Sequence, residues 1–404
     1  MSLLMLIMTK MMTGVMSVLE NNPQQVVLIA PPTSRRVTAF QNSLQQINWP
    51  PAKVIGYNHI IEFPDLLKET IAEGDVVRIE TSGECCTTDR FLLQLARQND
   101  PYKFDADIAD LQLEQGEIIP SNHWYAGLQS FFASLQKQLA QAAKHFCTID
   151  FNEGLQLFDK RQTAKVWQQK GLAIPKQITE PIVSFEQLLA VLKQQGLNRV
   201  FIKLAHGSGA SGAIALAISK TNMQAITTIE MADTKQGLRF YNSSKLIRYN
   251  DWQTTAMIID KLVQWHDLQI EAWIPKANYQ GKVFDIRVVV INGQAKHTLI
   301  RLGKQAITNL HLGNGRGDLE QIKNYLGNSW QLVPELAEQA MHCFPNSLYA
   351  GVDILVSQNN KKPYLLEANT FGDFHPNTYY QGLDTYQAEL LALLTRHKIG
   401  TNND

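Results

Sequence analysis

The sequence predicts an α/β protein that consists of a small parallel α/β domain followed by a larger α+β region. Between residues 25 and 150, short apolar strands alternate with helical stretches, which is typical of a parallel sheet covered by helices. After residue 151 the strands are longer and are joined by polar turns, which indicates antiparallel hairpins. With 404 residues, the chain is long enough to form two or three domains.

Three buried strands define the predicted N-terminal domain. They lie at residues 25–30, 53–57 and 75–80, with helices expected over residues 37–47, 63–71 and 124–139. In parallel sheets, ligands bind beyond the carboxyl ends of the strands. The loops at 31–36 and 80–84 follow two of these ends and are candidates for a ligand site, although a helix cap and solvated arginines explain them equally well.

The second part of the chain combines helices with hairpins. Helices are expected over residues 158–175, 184–195, 335–344 and 385–397, and strands over residues 199–204, 213–218, 269–274, 283–291, 294–300, 348–356 and 364–369. Asn292 and Gly293 form the strongest two-residue turn signal in the chain. Residues 223–249 fit no pattern beyond a strand at 246–249.

A glycine-rich loop between two strands is the most distinctive feature of the sequence. Lys203 lies near the end of the first strand, and the loop contains Gly207, Ser208, Gly209 and Gly212. Glycines let backbone N–H groups approach an anion closely, and a lysine adds a positive charge for phosphate oxygens. Walker and dinucleotide-binding loops open a helix instead, so both are excluded. The pattern predicts either a flap over phosphates or an ordinary hairpin with a flexible tip.

A second hairpin, at residues 351–356 and 364–369, carries acidic side chains among apolar ones. If Val356 pairs with Tyr364, Asp353 lies opposite Glu367, and Asn369 shares their face. Facing carboxylates repel each other, and their burial is costly. A divalent cation removes both problems, and an all-oxygen ligand set suits Mg²⁺, with Mn²⁺ as an alternative. Otherwise, one carboxylate points to solvent or pairs with an arginine.

Charged residues on a neighbouring hairpin complete the candidate site. Asp285 and Arg287 share one face of a strand, Arg301 ends the return strand, and Asn309 lies in the loop that follows. Such alternating charges usually mark the solvent-exposed face of a sheet. Between two phosphate-directed elements, however, they can bind a ribose, a phosphoryl group or a substrate carboxylate. His206 and His311 are candidate acid–base groups, although an isolated histidine is more often structural.

The composition limits the classes of partner and compartment. Lysine plus arginine and aspartate plus glutamate both number 37, so the net charge is zero and no basic surface for nucleic acid is expected. No apolar run is as long as a membrane span, and the four cysteines have neither metal-ligand nor disulfide-framework spacing. We therefore expect a cytoplasmic protein that binds neither nucleic acid nor membrane. The methionine-rich residues 1–24 are expected to form a disordered leader.

Seven motifs follow one another along the second part of the chain. They are the Asp159-Lys160 helix start, FIKLAHGSGASG, EAWI, FDIRVVVINGQ, TNLHLGNG, GVDIL and LLEAN. This series resembles the ATP-grasp superfamily, closest to its glutathione-synthetase and ribosomal-protein-glutamate-ligase branch and to an uncharacterised ATP-grasp group. The resemblance implies a pre-ATP-grasp domain at 25–150 and a two-lobed ATP-grasp domain at 151–400. The small lobe, 151–265, would carry the flap, and the large lobe, 266–400, the metal site.

The resemblance also implies roles for individual residues. ATP would be bound by Lys160, Lys203, Gly207, Ser208, Gly209, Gly212, Ala272, Trp273, Ile274 and Asp285. Mg²⁺ would be held by Asp353, Glu367 and Asn369, and the reacting end would be formed by Arg287, Arg301 and Asn309. The chain departs from the pattern at Ala272 and Trp273, where related ligases carry acidic residues or glutamine, and at Ile307, where they carry an arginine.

The implied activity is that of an ATP-dependent ligase that forms C–N bonds. ATP would phosphorylate a small-molecule or peptide carboxylate, and an amine or thiol would attack the resulting acyl phosphate, with release of ADP and phosphate. Two alternatives remain, a small-molecule kinase on the same fold and a non-catalytic nucleotide-binding module. The complete set of Asp353, Glu367 and Asn369 argues against the module.

Overall fold

The computed structural model describes residues 25–82, 85–100, 112–235 and 237–401, with side chains as far as residue 396. These residues form three sheets. The predicted leader at 1–24 and the last two residues of the 80–84 loop lie outside the described residues. Within the described residues, no helix combines the length and the apolar character needed to cross a membrane.

The N-terminal domain is built on a four-stranded parallel sheet with the strand order β2-β1-β3-β4. Its strands are β1 (Val26–Ile29), β2 (Lys53–Ile55), β3 (Val76–Ile79) and β4 (Phe146–Cys147). Its helices are α1 (Arg35–Gln46), α2 (Tyr57–Glu62), α3 (Leu66–Thr70), α4 (Cys86–Asn99) and α5 (Ser121–Leu139). β1 and β3 are buried along their whole length, as expected for parallel strands. The apolar run of β1 is continuous, and that of β3 is interrupted only by Arg78.

Two predicted elements of this domain have different bounds in the structure. The predicted strand at 53–57 ends at Ile55, and Tyr57 begins α2, where its ring stacks on Phe131 with centroids 4.4 Å apart. The helix predicted over 63–71 is present as α3 but is shorter, because α2 ends before Phe63 and α3 begins only at Leu66. Pro64 explains the break, since proline lacks an N–H group and keeps the preceding residue out of the helical region.

The second sheet is antiparallel, with the strand order β5-β10-β6-β7-β8-β9. Its strands are β5 (Gln177–Ile178), β6 (Arg199–Leu204), β7 (Ile214–Ile218), β8 (Met223–Thr234), β9 (Gly237–Tyr249) and β10 (Leu268–Ala272). The stretch at 223–249 is therefore a long hairpin. Its register shifts between Thr227 and Ile229, and this shift interrupts the alternation by which a strand is recognised in a sequence.

Two helices pack against the second sheet, α8 (Phe185–Gln194) and α9 (Trp252–Trp265). Two others, α6 (Phe151–Phe158) and α7 (Lys160–Gln169), contact the strand Pro363–Asn369 of the third sheet instead. The helix predicted within 158–175 is present as α7 and ends before Gly171, but it begins only at Lys160, because Phe158 ends α6. Asp159 separates the two helices, and its carboxylate accepts hydrogen bonds from the first N–H groups of α7. This cap fixes the position of Lys160 at the start of α7.

The third sheet is antiparallel, with the order β14-β13-β12-β15-β16, and β11 also pairs with β12. Its strands are β11 (Asn278–Tyr279), β12 (Lys282–Ile291), β13 (Gln294–Gly303), β14 (Gly315–Gly317), β15 (Tyr349–Val356) and β16 (Pro363–Asn369). The remaining helices are α10 (Leu319–Leu326), α11 (Leu332–Met341) and α12 (Thr385–Thr401).

The β15–β16 register confirms the predicted pairing of the two carboxylates. Asp353 lies opposite Glu367, and Asn369 lies opposite Gly351. The pairing of Val356 with Tyr364, from which this was predicted, is wrong, because Val356 lies opposite Pro363. The register shifts after Asp353, so that Leu366 is the extra residue of a β-bulge. The bulge restores the alignment of the two acids.

A buried ionic cluster joins the N-terminal sheet to the chain beyond β16. Arg78 of β3 is 1% exposed and pairs with Glu80 at 2.8 Å, with Glu389 of α12 at 2.5 Å and with Asp373. Arg36 of α1 also reaches Glu80 and Asp373, both at 3.1 Å. The N-terminal domain is thus attached to the third sheet by directional contacts as well as by a shared apolar core.

Candidate active site

A cleft with an empty volume of about 850 Å³, part of it open to solvent, lies between the second and third sheets. One wall contains Phe201 and Lys203 of β6 together with the glycine-rich loop. The opposite wall contains Asp285 of β12, Asp353 of β15 and Glu367 of β16. The two hairpins singled out in the sequence therefore face the same space.

The shape of the glycine-rich loop depends on backbone conformations that favour glycine. Gly209, Ala210 and Gly212 have φ angles of 62°, 64° and 66°. A Cβ atom at Gly212 would lie 2.8 Å from the Leu204 side chain, so the position excludes any larger residue. The Thr228 hydroxyl donates a hydrogen bond of 2.8 Å to the Ala210 carbonyl and ties the loop to β8. The loop is a shaped flap rather than a freely flexible tip.

Two lysines lie beneath this flap. The Lys160 ammonium group donates to the Gly207 carbonyl and lies 3.8 Å from the Glu367 carboxylate. Lys203 pairs with Glu271 of β10 at 2.5 Å. Burial lowers the pKa of Lys160. Burial would also lower the pKa of Lys203, but Glu271 and Glu367 outweigh it and raise that pKa above its ordinary value. The two lysines place positive charge beneath the flap, where an anion could bind.

The two predicted arginines hold Asp353 between them. Arg287 lies opposite Asp353 in the sheet and donates from Nη2 to Oδ2 at 2.8 Å and from Nε to Oδ1. Arg301 Nη2 lies 2.9 Å from Asp353 Oδ1. Burial would lower the pKa of Arg301, but Asp285 and Asp353 raise it. Asp353 is thus paired with arginines, which is the alternative that the sequence left open.

Asp285 is the centre of a second polar cluster. Its carboxylate accepts hydrogen bonds from Lys276 at 2.8 Å, from Arg301 at 2.5 Å and from the Thr308 hydroxyl. Lys276 also contacts Thr308 Oγ1 at 2.6 Å. Burial would raise the pKa of Asp285, but Arg301 and Lys276 lower it below its ordinary value. These donors attach the 306–309 loop to β12 and occupy both carboxylate oxygens.

The segment after β10 has one backbone N–H group to offer to a ligand. The Ala272 N–H donates to the Lys176 carbonyl at 2.8 Å, and the Trp273 N–H donates to the Arg199 carbonyl at 3.1 Å. Within the part of the chain that the structure describes, the Ile274 N–H has no backbone partner. Of the three residues predicted to meet the adenine edge, Ile274 is therefore the donor that this geometry favours.

Most of the predicted site residues line this one cleft. They are Lys160, Lys203, Gly207, Ser208, Gly209, Ala272, Ile274, Asp285, Arg301, Asn309, Asp353 and Glu367. Four do not line it, namely Gly212, Trp273, Arg287 and Asn369. Arg287 acts on the cleft through Asp353, and the Asn369 amide donates to Glu367 Oε1 at 3.3 Å. The Trp273 ring instead packs 5.2 Å from that of Phe201.

Sequence reasoning missed three polar residues that line the cleft, Glu271, Lys276 and Thr308. For Glu271 a signal existed, because a glutamate within the apolar strand 268–272 requires a buried cation as its partner. The register places Lys203 opposite Gln269 and thus diagonal to Glu271. Lys276 and Thr308 are 32 residues apart, and no local pattern connects them.

The acidic hairpin has the donor chemistry of a divalent-cation site, but both Asp353 oxygens are paired with arginines. Asp353, Glu367 and Asn369 supply only oxygen ligands. Burial would raise the pKa of Glu367, but Lys160, Lys203 and Arg287 hold it at about 2, so the group is ionised at neutral pH. No group of three or more His, Cys, Asp or Glu residues with metal-binding geometry occurs in the described ranges. A cation bound here would therefore need further ligands from a substrate or water.

Comparison with known proteins decides the family. A family model described as YheC/D-like ATP-grasp matches residues 149–388, more than half of the chain. The chain belongs to this ATP-grasp family. Membership confirms the predicted superfamily and the predicted class of enzyme, an ATP-dependent ligase. No curated protein matches the sequence.

Solved ATP-grasp structures share the fold at low sequence identity. The macrocyclase MdnC bound with precursor peptide MdnA from Microcystis aeruginosa MRC is 12% identical, with a TM-score of 0.50 over 92% of this chain and all (100%) of that one. Carboxyaminoimidazole ribonucleotide synthase from Aspergillus clavatus, complexed with ATP, is 11% identical, with a TM-score of 0.50 over 92% of this chain and 77% of that one. These similarities confirm the predicted mixed α/β fold class. The particular branch of the ATP-grasp superfamily stays a prediction.

Proposed function

We propose that the protein is an ATP- and Mg²⁺-dependent ligase that joins a carboxylate to an amine or thiol through an acyl phosphate. The observation that carries the proposal is that two lysines, two carboxylates and an arginine line one cleft. The two lysines under the flap lie across from the Asp353–Glu367 pair, and Arg301 lies beside that pair. A kinase needs cations for phosphate alone, whereas a carboxylate substrate and its tetrahedral intermediate need further donors.

In this proposal, some residues of the cleft bind the nucleotide and others bind the carboxylate substrate. Lys160, Lys203 and the flap would bind the phosphates, and the Ile274 N–H would meet the adenine edge. Arg301 and Asn309 would orient the carboxylate, with Arg287 holding Asp353 in place. Most of these side chains are buried, so their charges act in a medium of lower dielectric than water, where they stabilise developing negative charge more strongly.

The metal site of the proposal consists of Asp353, Glu367 and Asn369. When bound, Mg²⁺ supplies positive charge to the phosphate oxygens during phosphoryl transfer. The protein's own part is to keep Glu367 ionised, because Lys160, Lys203 and Arg287 lower the pKa of that carboxyl. The arginines on Asp353 also mean that metal and guanidinium groups share that carboxylate.

A trapping experiment tests the proposal. The protein is incubated with ATP, Mg²⁺, hydroxylamine and a panel of carboxylic acids and peptides with free carboxylates. Hydroxylamine converts an acyl phosphate into a hydroxamate, so we expect hydroxamate and ADP in equal amounts with the accepted acid. Arg301→Ala should lower the hydroxamate yield much more than it lowers ATP affinity, because the arginine acts on the reacting carboxylate. A stable phosphate ester without hydroxamate would refute the ligase and indicate a kinase.

A further inference from the structure

A second cavity lies on the other side of the flap. Its empty volume is about 1650 Å³ and includes open solvent. It shares Gly207, Ser208, Gly209 and Ser211 with the cleft described above. Its other walls come from the N-terminal domain, including Ser82 and the start of α4, and from residues 242–244 in the middle of β9. A molecule bound here would approach the flap from the side opposite to the adenine segment.

The two spaces differ in the charge of their walls. The first cleft is lined by Lys160, Lys203, Lys276 and Arg301. Among the described residues that line the second cavity there is no lysine or arginine, but there are three carboxylates, Asp89, Glu114 and Glu117. The second cavity therefore disfavours an anionic ligand and favours a cationic one.

Asp89 is the carboxylate available to such a ligand. Glu114 and Glu117 both pair with Arg239, at 3.4 and 3.3 Å. Asp89 accepts hydrogen bonds on Oδ1 only, from the Trp124 indole at 2.8 Å and from the Ser82 hydroxyl at 3.3 Å. Within the described residues, no hydrogen bond or ion pair involves its Oδ2. Burial raises the pKa of Asp89 to about 6, as expected for a carboxylate that lacks a cation.

His206 is a second buried polar side chain of this cavity with an unused atom. It precedes the flap, is 6% exposed and lines the cavity. Its ring stacks on Tyr125 with centroids 3.9 Å apart, and its Nε2 lies 3.2 Å from Asp159 Oδ2. Its Nδ1 is buried and has no hydrogen-bond partner. An isolated buried nitrogen is costly, and a polar ligand beside the flap would satisfy it.

We propose that the second cavity binds the nucleophile of the ligase as a primary ammonium compound, with Asp89 as the anchor of the ammonium group and as the base that accepts its proton, so that the neutral amine attacks the acyl phosphate and displaces phosphate. The proposal rests on the proposed ligase function and deepens it, because it selects an amine over a thiol. A thiol or thiolate would bring no positive charge to Asp89. The hydroxyl groups of Ser82, Ser121 and Ser243 add polar contacts, so a hydroxylated amine suits the lining better than an apolar one.

Ethanolamine and ethylene glycol form a matched pair of probes that differ in one amino group. Their binding to the full-length protein is measured without ATP by saturation-transfer NMR, with a titration of the dissociation constant. We expect ethanolamine to bind and ethylene glycol to bind at least tenfold more weakly. Asp89→Asn should weaken ethanolamine binding by about tenfold, the effect of losing one charge-assisted hydrogen bond. The exposed Asp65→Asn serves as the control and should leave binding unchanged.

The outcomes separate this proposal from the proposed function. Asparagine at position 89 still accepts the Trp124 hydrogen bond, and a thermal unfolding curve for Asp89→Asn verifies that the variant is folded. Equal binding of the two probes, no binding of ethanolamine, or unchanged ethanolamine affinity in folded Asp89→Asn would each overturn the ammonium site. Hydroxamate formation would then still support the ligase. Conversely, a protein that binds ethanolamine through Asp89 but forms no acyl phosphate would keep the ammonium site and would refute the ligase, and with it the role of the bound amine as a nucleophile.

Discussion

Replacing Lys203 by methionine tests two things, the contribution of its positive charge to ATP binding and its contribution to the stability of the protein. Methionine keeps the length and much of the volume of the side chain but removes the ammonium group. The loss of a hydrogen bond from a charged donor to a phosphate costs about 1.5–3 kcal/mol. At about 1.4 kcal/mol for each factor of ten, ATP affinity should fall by about 10- to 100-fold.

The same substitution leaves Glu271 without its cation. Glu271 is 1% exposed and pairs with Lys203 at 2.5 Å. Breaking a buried ion pair by removing one partner costs about 3–5 kcal/mol. The unpaired carboxylate can instead bind a proton, which at pH 7 costs about 3.7 kcal/mol for a glutamate with an ordinary solution pKa of about 4.3. The free energy of unfolding should therefore fall by about 3–4 kcal/mol in Lys203→Met.

A double variant separates the two effects. In Lys203→Met combined with Glu271→Gln, no buried charge is left over, so most of the lost stability should return while ATP affinity stays low. Calorimetric titration with ATP and Mg²⁺ measures affinity, and denaturant unfolding measures stability. Lys220→Met, at an exposed position beyond β7, is the control and should change neither. If the double variant bound ATP as tightly as the wild type, Lys203 would not contact the nucleotide.

Three further changes test other parts of the molecule. Glu367→Gln should abolish Mg²⁺-dependent ADP release but leave the fold intact, and unchanged metal dependence would contradict the metal site. Burial would raise the pKa of Asp159, but His206 and Arg161 hold it at about 2. The ionised carboxylate therefore stabilises the folded state above about pH 4, and this contribution to the free energy of unfolding is lost as the pH falls to 2. Asparagine keeps the helix cap, so the free energy of unfolding of Asp159→Asn should be about 2 kcal/mol lower than that of the wild type at pH 6 and equal to it near pH 2. The same difference at both pH values would disprove this. Gly212→Ala should lower ATP affinity more than Gly196→Ala does. Both glycines have a positive φ angle, but only at Gly212 would a Cβ atom clash with a neighbouring side chain. Equal effects of the two substitutions would show that the shape of the flap is unimportant.

The sequence predicts the parts of the site that depend on local geometry. The flap follows from glycines between two apolar strands, and the Asp353–Glu367 pairing follows from two short strands joined by a short loop. The bulge at Leu366 was not predictable, because the spacing of the loop allows either register. The prediction of the acid pair was correct although the pairing of Val356 was wrong.

The contacts that the sequence does not predict are those between distant segments. Lys276 reaches Thr308, and Arg78 reaches Asp373 and Glu389, which are 295 and 311 residues further along the chain. Periodicity indicates which face of an element is buried, but it does not indicate which element covers that face. A buried charge such as that of Arg78 requires a partner, and only the packing of the domains identifies the partner.

The ionic cluster around Arg78 explains how the N-terminal domain becomes part of the site. Apolar packing alone is non-directional and tolerates small rotations of one domain on another, whereas bidentate ion pairs have fixed geometry. Glu80 immediately precedes the segment that carries Ser82 and Asp89, and Asp373 follows Asn369 of the acidic hairpin by four residues. Since Arg36 and Arg78 both bind Glu80 and Asp373, they hold the wall of the second cavity against the end of β16.

Burial of such a cluster is not needed for stability, because well-packed apolar residues would serve as well or better. The cluster instead fixes the position of the N-terminal domain relative to the third sheet. A nucleophile anchored on Asp89 must meet a carboxylate oriented on the third sheet, and an error of about 1 Å at this stage can cost about 100-fold in rate. In the proposed ligase, the N-terminal domain would therefore form one wall of the active site, and the ion pairs of the cluster would fix its position relative to the acidic hairpin.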